Sequence, residues 1–140
     1  LNNSSAGKKV HDSLQKRLKD GISSLNKKEK SLQEEEKKII QQKKVISQEE
    51  YVKKVNNLRK KVSSLKDERN NLLEKISKDR TKARNELLKN LNPIIEEYMQ
   101  EKKIRLVFDK KNIILADKNL DITKEIMEIL NTKLKSIKLN

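Results

Sequence analysis

Apolar residues in the first third of the chain recur every seventh position, at Leu18, Leu25, Leu32, Ile39 and Ile46. Beyond Ser47, Val55, Leu58, Val62, Leu65, Leu72 and Ile76 alternate steps of three and four. Both patterns keep a narrow apolar seam facing a partner as a helix turns. Between them lies Val45-Ile46-Ser47-Gln48-Glu49-Glu50, in which Ser47 and Glu50 have the spacing of a capping box that starts a new helix. Folding the chain back about Ser47 sets Ile39 beside Val55, Leu32 beside Val62 and Leu18 beside Ile76, and opposes Leu25 to Arg69. The pattern therefore predicts a long antiparallel α-helical coiled-coil hairpin over residues 8–101, with its tip near 45–50. An arm of nearly forty residues spans about 55 Å at the helical rise. A helix of a compact bundle carries three or four apolar positions per two turns, and the first arm often carries one, so a thin arm is favoured over a thick core.

After Ile76 the apolar positions shift frame to Ala83, Leu87, Leu91, Ile94 or Ile95, and Tyr98, which predicts that the second helix leaves its partner and enters a body. Pro93 predicts a kink or break near Leu91-Asn92. At the start, residues 1–7 read as a loop feeding a helix capped by Ser4 or Ser5, and Gly21 weakens that helix by roughly 1 kcal/mol relative to Ala. From Lys102-Lys103 the period changes to two. Ile104 to Phe108 and Ile113 to Ala116 read as strands joined through Lys110-Lys111-Asn112, and Asp121 caps a last helix whose face is Ile122, Ile126, Ile129, Leu130, Leu134 and Ile137.

The predicted fold class is thus mainly α with a small β part, as one composite domain. Residues 1–7 and 102–140 form a small α+β oligomerisation body and residues 8–101 the arm. Two strands alone are marginal in water and their edges are sticky. Copies of the chain could cover them in a shared sheet through Ile104, Leu106, Phe108, Ile113 and Leu115, with Ile126 from the capping helix. Cover by the chain's own last helix is the alternative.

Composition narrows the function. Of 140 residues, 40% are charged and 33% hydrophobic, which suits long solvated helices. The net charge of +14 predicts attraction to anionic partners. It is spread along the chain, with 12 basic against 6 acidic residues in 8–46, 13 against 10 in 47–101, and 10 against 5 in 102–140. No apolar stretch approaches the ~20 residues that span a bilayer. With two glycines, one histidine and no cysteine, no triad, phosphate loop or zinc site can be assembled, and no catalytic residue, metal or cofactor is expected. His11 reads as a surface residue. Aromatics are 2% and acids interrupt the basic runs, so nucleic-acid contact is expected only as weak, salt-sensitive association.

Three pieces in order around the hairpin resemble the Skp/OmpH family of periplasmic chaperones. They are Asn3-Ser4-Ser5-Ala6-Gly7-Lys8-Lys9, then Ile104-Arg105-Leu106-Val107-Phe108-Asp109 followed by Ile113-Ile114-Leu115, then Asp121-Ile122-Thr123. The resemblance covers essentially the whole chain. It implies a homotrimer with a β-barrel-like body and three arms around a cavity, acting in the periplasm as an ATP-independent holdase for unfolded outer-membrane proteins. The family's signal peptide and short apolar strand before the Asn-Ser-Ser segment are not present, which is expected of a truncated sequence. The family's lipopolysaccharide contacts direct attention to the basic cluster Lys78, Arg80, Lys82 and Arg84 as contacts for anionic lipid or lipopolysaccharide, although a solvated helix face explains the same residues.

In that reading, Ile39, Ile40, Val45, Ile46, Tyr51 and Val52 near the tip touch apolar client segments while lysines supply long-range attraction. A structural coiled-coil scaffold binding one folded partner, and a basic nucleic-acid-associated protein, are the competing readings.

Overall fold

The computed structural model describes residues 3–138. Leu1, Asn2, Leu139 and Asn140, assigned above to the body, lie outside the described residues. The elements are α1 (Ser5–Gln42), α2 (Gln48–Lys102), single 3-10 turns at Lys110–Asn112 and Lys118–Leu120, and α3 (Thr123–Lys133). The chain divides into two compact units, Leu14–Lys78 and the pair of segments Leu1–Ser13 and Asp79–Asn140.

The 14–78 unit is the antiparallel hairpin that the seam predicts. Leu14, Leu25 and Ile39 of α1 and Leu58, Leu65 and Ile76 of α2 are buried. Leu18, Leu32, Val55 and Leu72 are half-buried, and Val62 is 51% exposed, as a stripe this narrow must leave some of its members. Ion pairs flank the seam: Lys28–Glu68 at 2.6 Å, Lys61–Glu35 at 2.7 Å and Arg69–Glu29 at 3.0 Å. Arg69, expected against Leu25, thus turns its guanidinium to the flank and spares the seam a buried charge. A Cβ on Gly21 would come within 2.6 Å of Leu72 Cδ2, so the bare glycine is the notch into which Leu72 packs.

The connection between the helices is Lys43 to Ser47. Ser47 Oγ accepts the Glu50 N–H at 3.2 Å, which is one half of the expected capping box. The Glu50 carboxylate does not return to Ser47; it lies 3.7 Å from Lys54.

In the other unit, α1 begins three residues earlier than the sequence pattern indicates, and Ser4 caps it by accepting the Gly7 N–H at 3.0 Å. Ala6 and Val10 of α1 and Ala83 and Leu87 of α2 are buried. Ile94 of α2 packs with Ile126 and Leu130 of α3, surrounded by Leu91, Ile95, Tyr98, Ile122, Met127, Ile129 and Leu134. Polar contacts pin the same elements, with the Ser5 N–H donating to Asn131 Oδ1 at 2.7 Å and Lys133 Nζ lying 2.5 Å from Glu97.

Two expectations are corrected here. Of the kink or break expected at Pro93, the break does not form: α2 runs unbroken to Lys102. The proline's missing N–H costs one helical bond, and the burial of Ile94 against α3 outweighs that loss. The small β part is also absent, because no strand forms among the described residues. Residues 104–109 and 113–117 carry no helix or strand and are interrupted by the 3-10 turn. A two-stranded ribbon with no third strand and no covering layer gains too little to hold its ladder.

Candidate functional site

The first candidate surface is the tip of the 14–78 unit. The helix stop at Gln42 and the restart at Gln48 leave a five-residue turn that cannot bury its side chains, so Val45 is 84% exposed. Ile40 and Val52 are also exposed, one turn back on each helix, and Ile46 and Tyr51 are half-buried. Ile39 is 5% exposed and belongs to the seam, so the accessible apolar surface comes from the other five residues. Cations ring this surface. Between residues 37 and 54 there are six lysines and two glutamates. Lys43 Nζ sits 5.8 Å from the centre of the Tyr51 ring, and Lys54 Nζ donates to Gln42 Oε1 at 2.8 Å. Apolar contact and positive potential thus occupy one end of the hairpin.

The second surface is the segment between α2 and α3. α2 ends in a Schellman arrangement: the Ile104 N–H donates to Met99 O at 2.9 Å and the Lys103 N–H to Gln100 O at 3.3 Å, with Lys103 at φ 55°. Three aspartates then order the backbone. Asp109 Oδ1 accepts the Lys111 N–H at 3.0 Å, Asp117 Oδ1 the Asn119 N–H at 2.9 Å, and Asp121 Oδ1 the Thr123 N–H at 3.1 Å. Hydrogen bonds from Lys110 first and Thr123 second hold the Asp121 carboxyl far below the usual aspartate range. Of the six residues expected to mediate oligomerisation, Leu106, Phe108, Ile113 and Leu115 are exposed, Ile104 is half-buried and Ile126 is core. Ile114, at 104% exposure, extends the same surface, and Leu115 is 91% exposed.

The basic residues Lys78, Arg80, Lys82 and Arg84 are exposed. Lys78 pairs with Glu74 at 2.5 Å, and that hydrogen bond holds the Glu74 carboxyl below its ordinary value. Arg80 and Arg84, four apart, share a face of α2, and Lys82 lies off it. Sequence reasoning missed Asp79, which is buried at 3% exposure three residues after Ile76. Its position on the seam frame was the available signal. Among the described residues, no group of three or more histidine, cysteine or acidic side chains gathers as a metal site, and no helix is long and apolar enough to cross a membrane.

The chain thus combines a paired-helix unit, an apolar, cationic tip and an unpaired apolar segment before a short last helix. Residues 1–130 match the family described as "Outer membrane protein (OmpH-like)". The chain belongs to the OmpH/Skp-like family of outer membrane protein chaperones. The crystal structure of an OmpH-like protein from Caulobacter crescentus CB15 superposes with a TM-score of 0.92 at 21% identity, covering 99% of this chain and 82% of that one. At that identity the likeness concerns the fold, which this OmpH-family chain shares over nearly its whole length. Among curated proteins none matches the chain.

Proposed function

We propose that this chain is an ATP-independent holdase that binds unfolded outer-membrane proteins in the periplasm and prevents their aggregation. The observation that carries the reading is the family match over residues 1–130. The tip supports it in physical terms. Ile40, Val45 and Val52 offer apolar contact, with Ile46 and Tyr51 at its margin, and the surrounding lysines draw in anionic chains before contact. Many weak contacts of this kind need no nucleotide to form or to release. Lys78, Arg80, Lys82 and Arg84 are contacts for anionic lipid or lipopolysaccharide in the same reading.

Function also requires copies of the chain to associate, as a homotrimer, through Leu106, Phe108, Ile113 and Leu115, with Ile104 behind them and Ile126 holding α3 in place. The support is the exposure of these apolar side chains on backbone that forms no sheet within one chain. In this scheme the 14–78 unit serves the client and the other unit serves assembly.

The test is dilution of a urea-unfolded outer-membrane β-barrel with and without the protein. Light scattering falls in its presence, and Val45→Asp combined with Ile40→Asp restores it. Unchanged scattering with the native protein would overturn the holdase reading.

A further inference from the structure

The hairpin of the 14–78 unit has two unlike flanks. On one, Lys28, Glu35 and Gln42 of α1 stand seven residues apart and bond across to Glu68, Lys61 and Lys54 of α2, at 2.6, 2.7 and 2.8 Å. Those polar bonds close that side at every heptad. The other side is marked by the Arg69–Glu29 pair at 3.0 Å. Steps of three, four, seven and eleven keep helical side chains on one side. By that spacing Ile22 and Ile40 share the side of Glu29, and Val62 and Leu73 the side of Arg69. Val52, three heptads before Leu73, falls in the same row as it. Ile40, Val52, Val62 and Leu73 are exposed and Ile22 and Val55 half-buried, so this open flank carries an apolar stripe where the other carries polar bonds. Arg59 and Lys66, exposed in the row of Val52 and Leu73, set cations within it, and Glu36 lies in the row of Glu29. At the end away from the tip, Ile22 lines a groove with Lys19, Asn26 and Lys30.

We propose that this open flank, from Ile40 and Val52 back to Ile22 and Leu73, holds one extended client segment of about ten residues in which every second side chain is apolar. The inference rests on the holdase reading above and adds the length and pattern of chain that one hairpin takes. Length is the first argument. From Val52 to Leu73 the helix rises about 32 Å, and about ten residues of extended chain cover about 33 Å, the length of one transmembrane β-strand. Pattern is the second. An extended segment turns alternate side chains the same way, so one row lies on the stripe and the other faces away, where the long side chains of Arg59 and Lys66 can reach its acids. Continuity is the third. Ile40 and Val52 belong also to the tip, so a segment caught there extends along the flank without leaving apolar surface. The opposite flank, closed by its three polar bonds, takes no part.

The experiment follows, by fluorescence anisotropy, binding of the full chain to a labelled ten-residue peptide in which valine alternates with polar residues, two of them aspartate. A peptide of the same composition with its valines in one block binds about threefold or more weakly, and so does a five-residue alternating peptide. Val62→Thr combined with Leu73→Ser weakens the alternating peptide about tenfold, since each removes part of the apolar contact. Thr keeps the shape of Val62, and Leu73 lies one row off the seam, so helix content by circular dichroism stays unchanged. Glu35→Gln, on the polar flank, matches the native chain. Equal binding of the blocked and alternating peptides, or native affinity in the double variant, overturns the role of this flank. So does a native chain that binds none of the peptides. If that chain still suppresses the light scattering of the unfolded β-barrel, the holdase reading stands without the flank. Scattering left unchanged by the native chain sinks both.

Discussion

Lys103 holds a left-handed backbone, at φ 55°, where a glycine would sit without penalty. The bonds from Ile104 to Met99 and from Lys103 to Gln100 still close the end of α2, so the motif tolerates the side chain at a cost. Lys103→Gly is expected to stabilise the chain by up to about 1 kcal/mol, read as a higher urea midpoint at unchanged slope. No glycine announced this cap, which is why residues 102–103 register in the sequence only as a change of period. Asp121 gives a second expectation at this scale. Its folded value lies below its ordinary one, because Lys110 and Thr123 bond the charged form. Its contribution to stability is therefore complete above the ordinary aspartate range and is lost as pH falls from there towards the lowered folded value. Thermal unfolding followed from about pH 5 down to about pH 2 loses stability over that window, and Asp121→Asn flattens the part of the curve that this carboxylate causes.

At the scale of elements, the α1/α2 hairpin was legible because a seven-residue repeat and a three-four repeat admit few pairings that bury both. Ile39 and Ile76 are buried as the fold-back about Ser47 requires. The flanking pairs Lys28–Glu68 and Lys61–Glu35 support the same register. The notch at Gly21 was not legible, since a glycine inside a heptad reads as a weak point until Leu72 is seen against it. Gly21→Ala gains helix propensity and crowds Leu72. In a Leu72→Ala background the crowding is gone, so the substitution stabilises by about 0.5–1 kcal/mol there and by less, or not at all, in the native background. Thermal unfolding of the four proteins in this cycle measures the difference. Pro93 shows the opposite failure. The local rule predicted a kink or break, and the burial of Ile94, Ile126 and Leu130 together kept α2 whole.

For the whole molecule, charge and apolar exposure decide what the protein can hold. If the chain is the holdase proposed above, its net charge of +14 makes capture of an unfolded anionic client fast at low salt and slower as added ions shorten the Debye length, about 10 Å at 0.1 M. Stopped-flow fluorescence with a labelled, urea-unfolded β-barrel is expected to show at least a tenfold slower association between about 20 mM and 500 mM salt, with a weaker effect on dissociation. A rate independent of salt would remove the lysines from the capture step. Of the tip residues named from sequence, only Ile39 is sealed in the seam, a distinction that depends on which side of a helix faces its partner.

The periodic positions by themselves determined the two long helices, the turn at Ser47 and the apolar residues of the tip, because these follow from contacts near in sequence or from a repeat with one sensible pairing. The tertiary structure decided what the segment after Lys102 becomes. Alternation of Ile104, Leu106 and Phe108 specifies an extended backbone but not its hydrogen-bond partners, and within one chain those partners are not supplied by residues 113–116. Whether Asp121 merely caps a helix or also secures Lys110 across eleven residues of chain depends on atoms brought together only by folding.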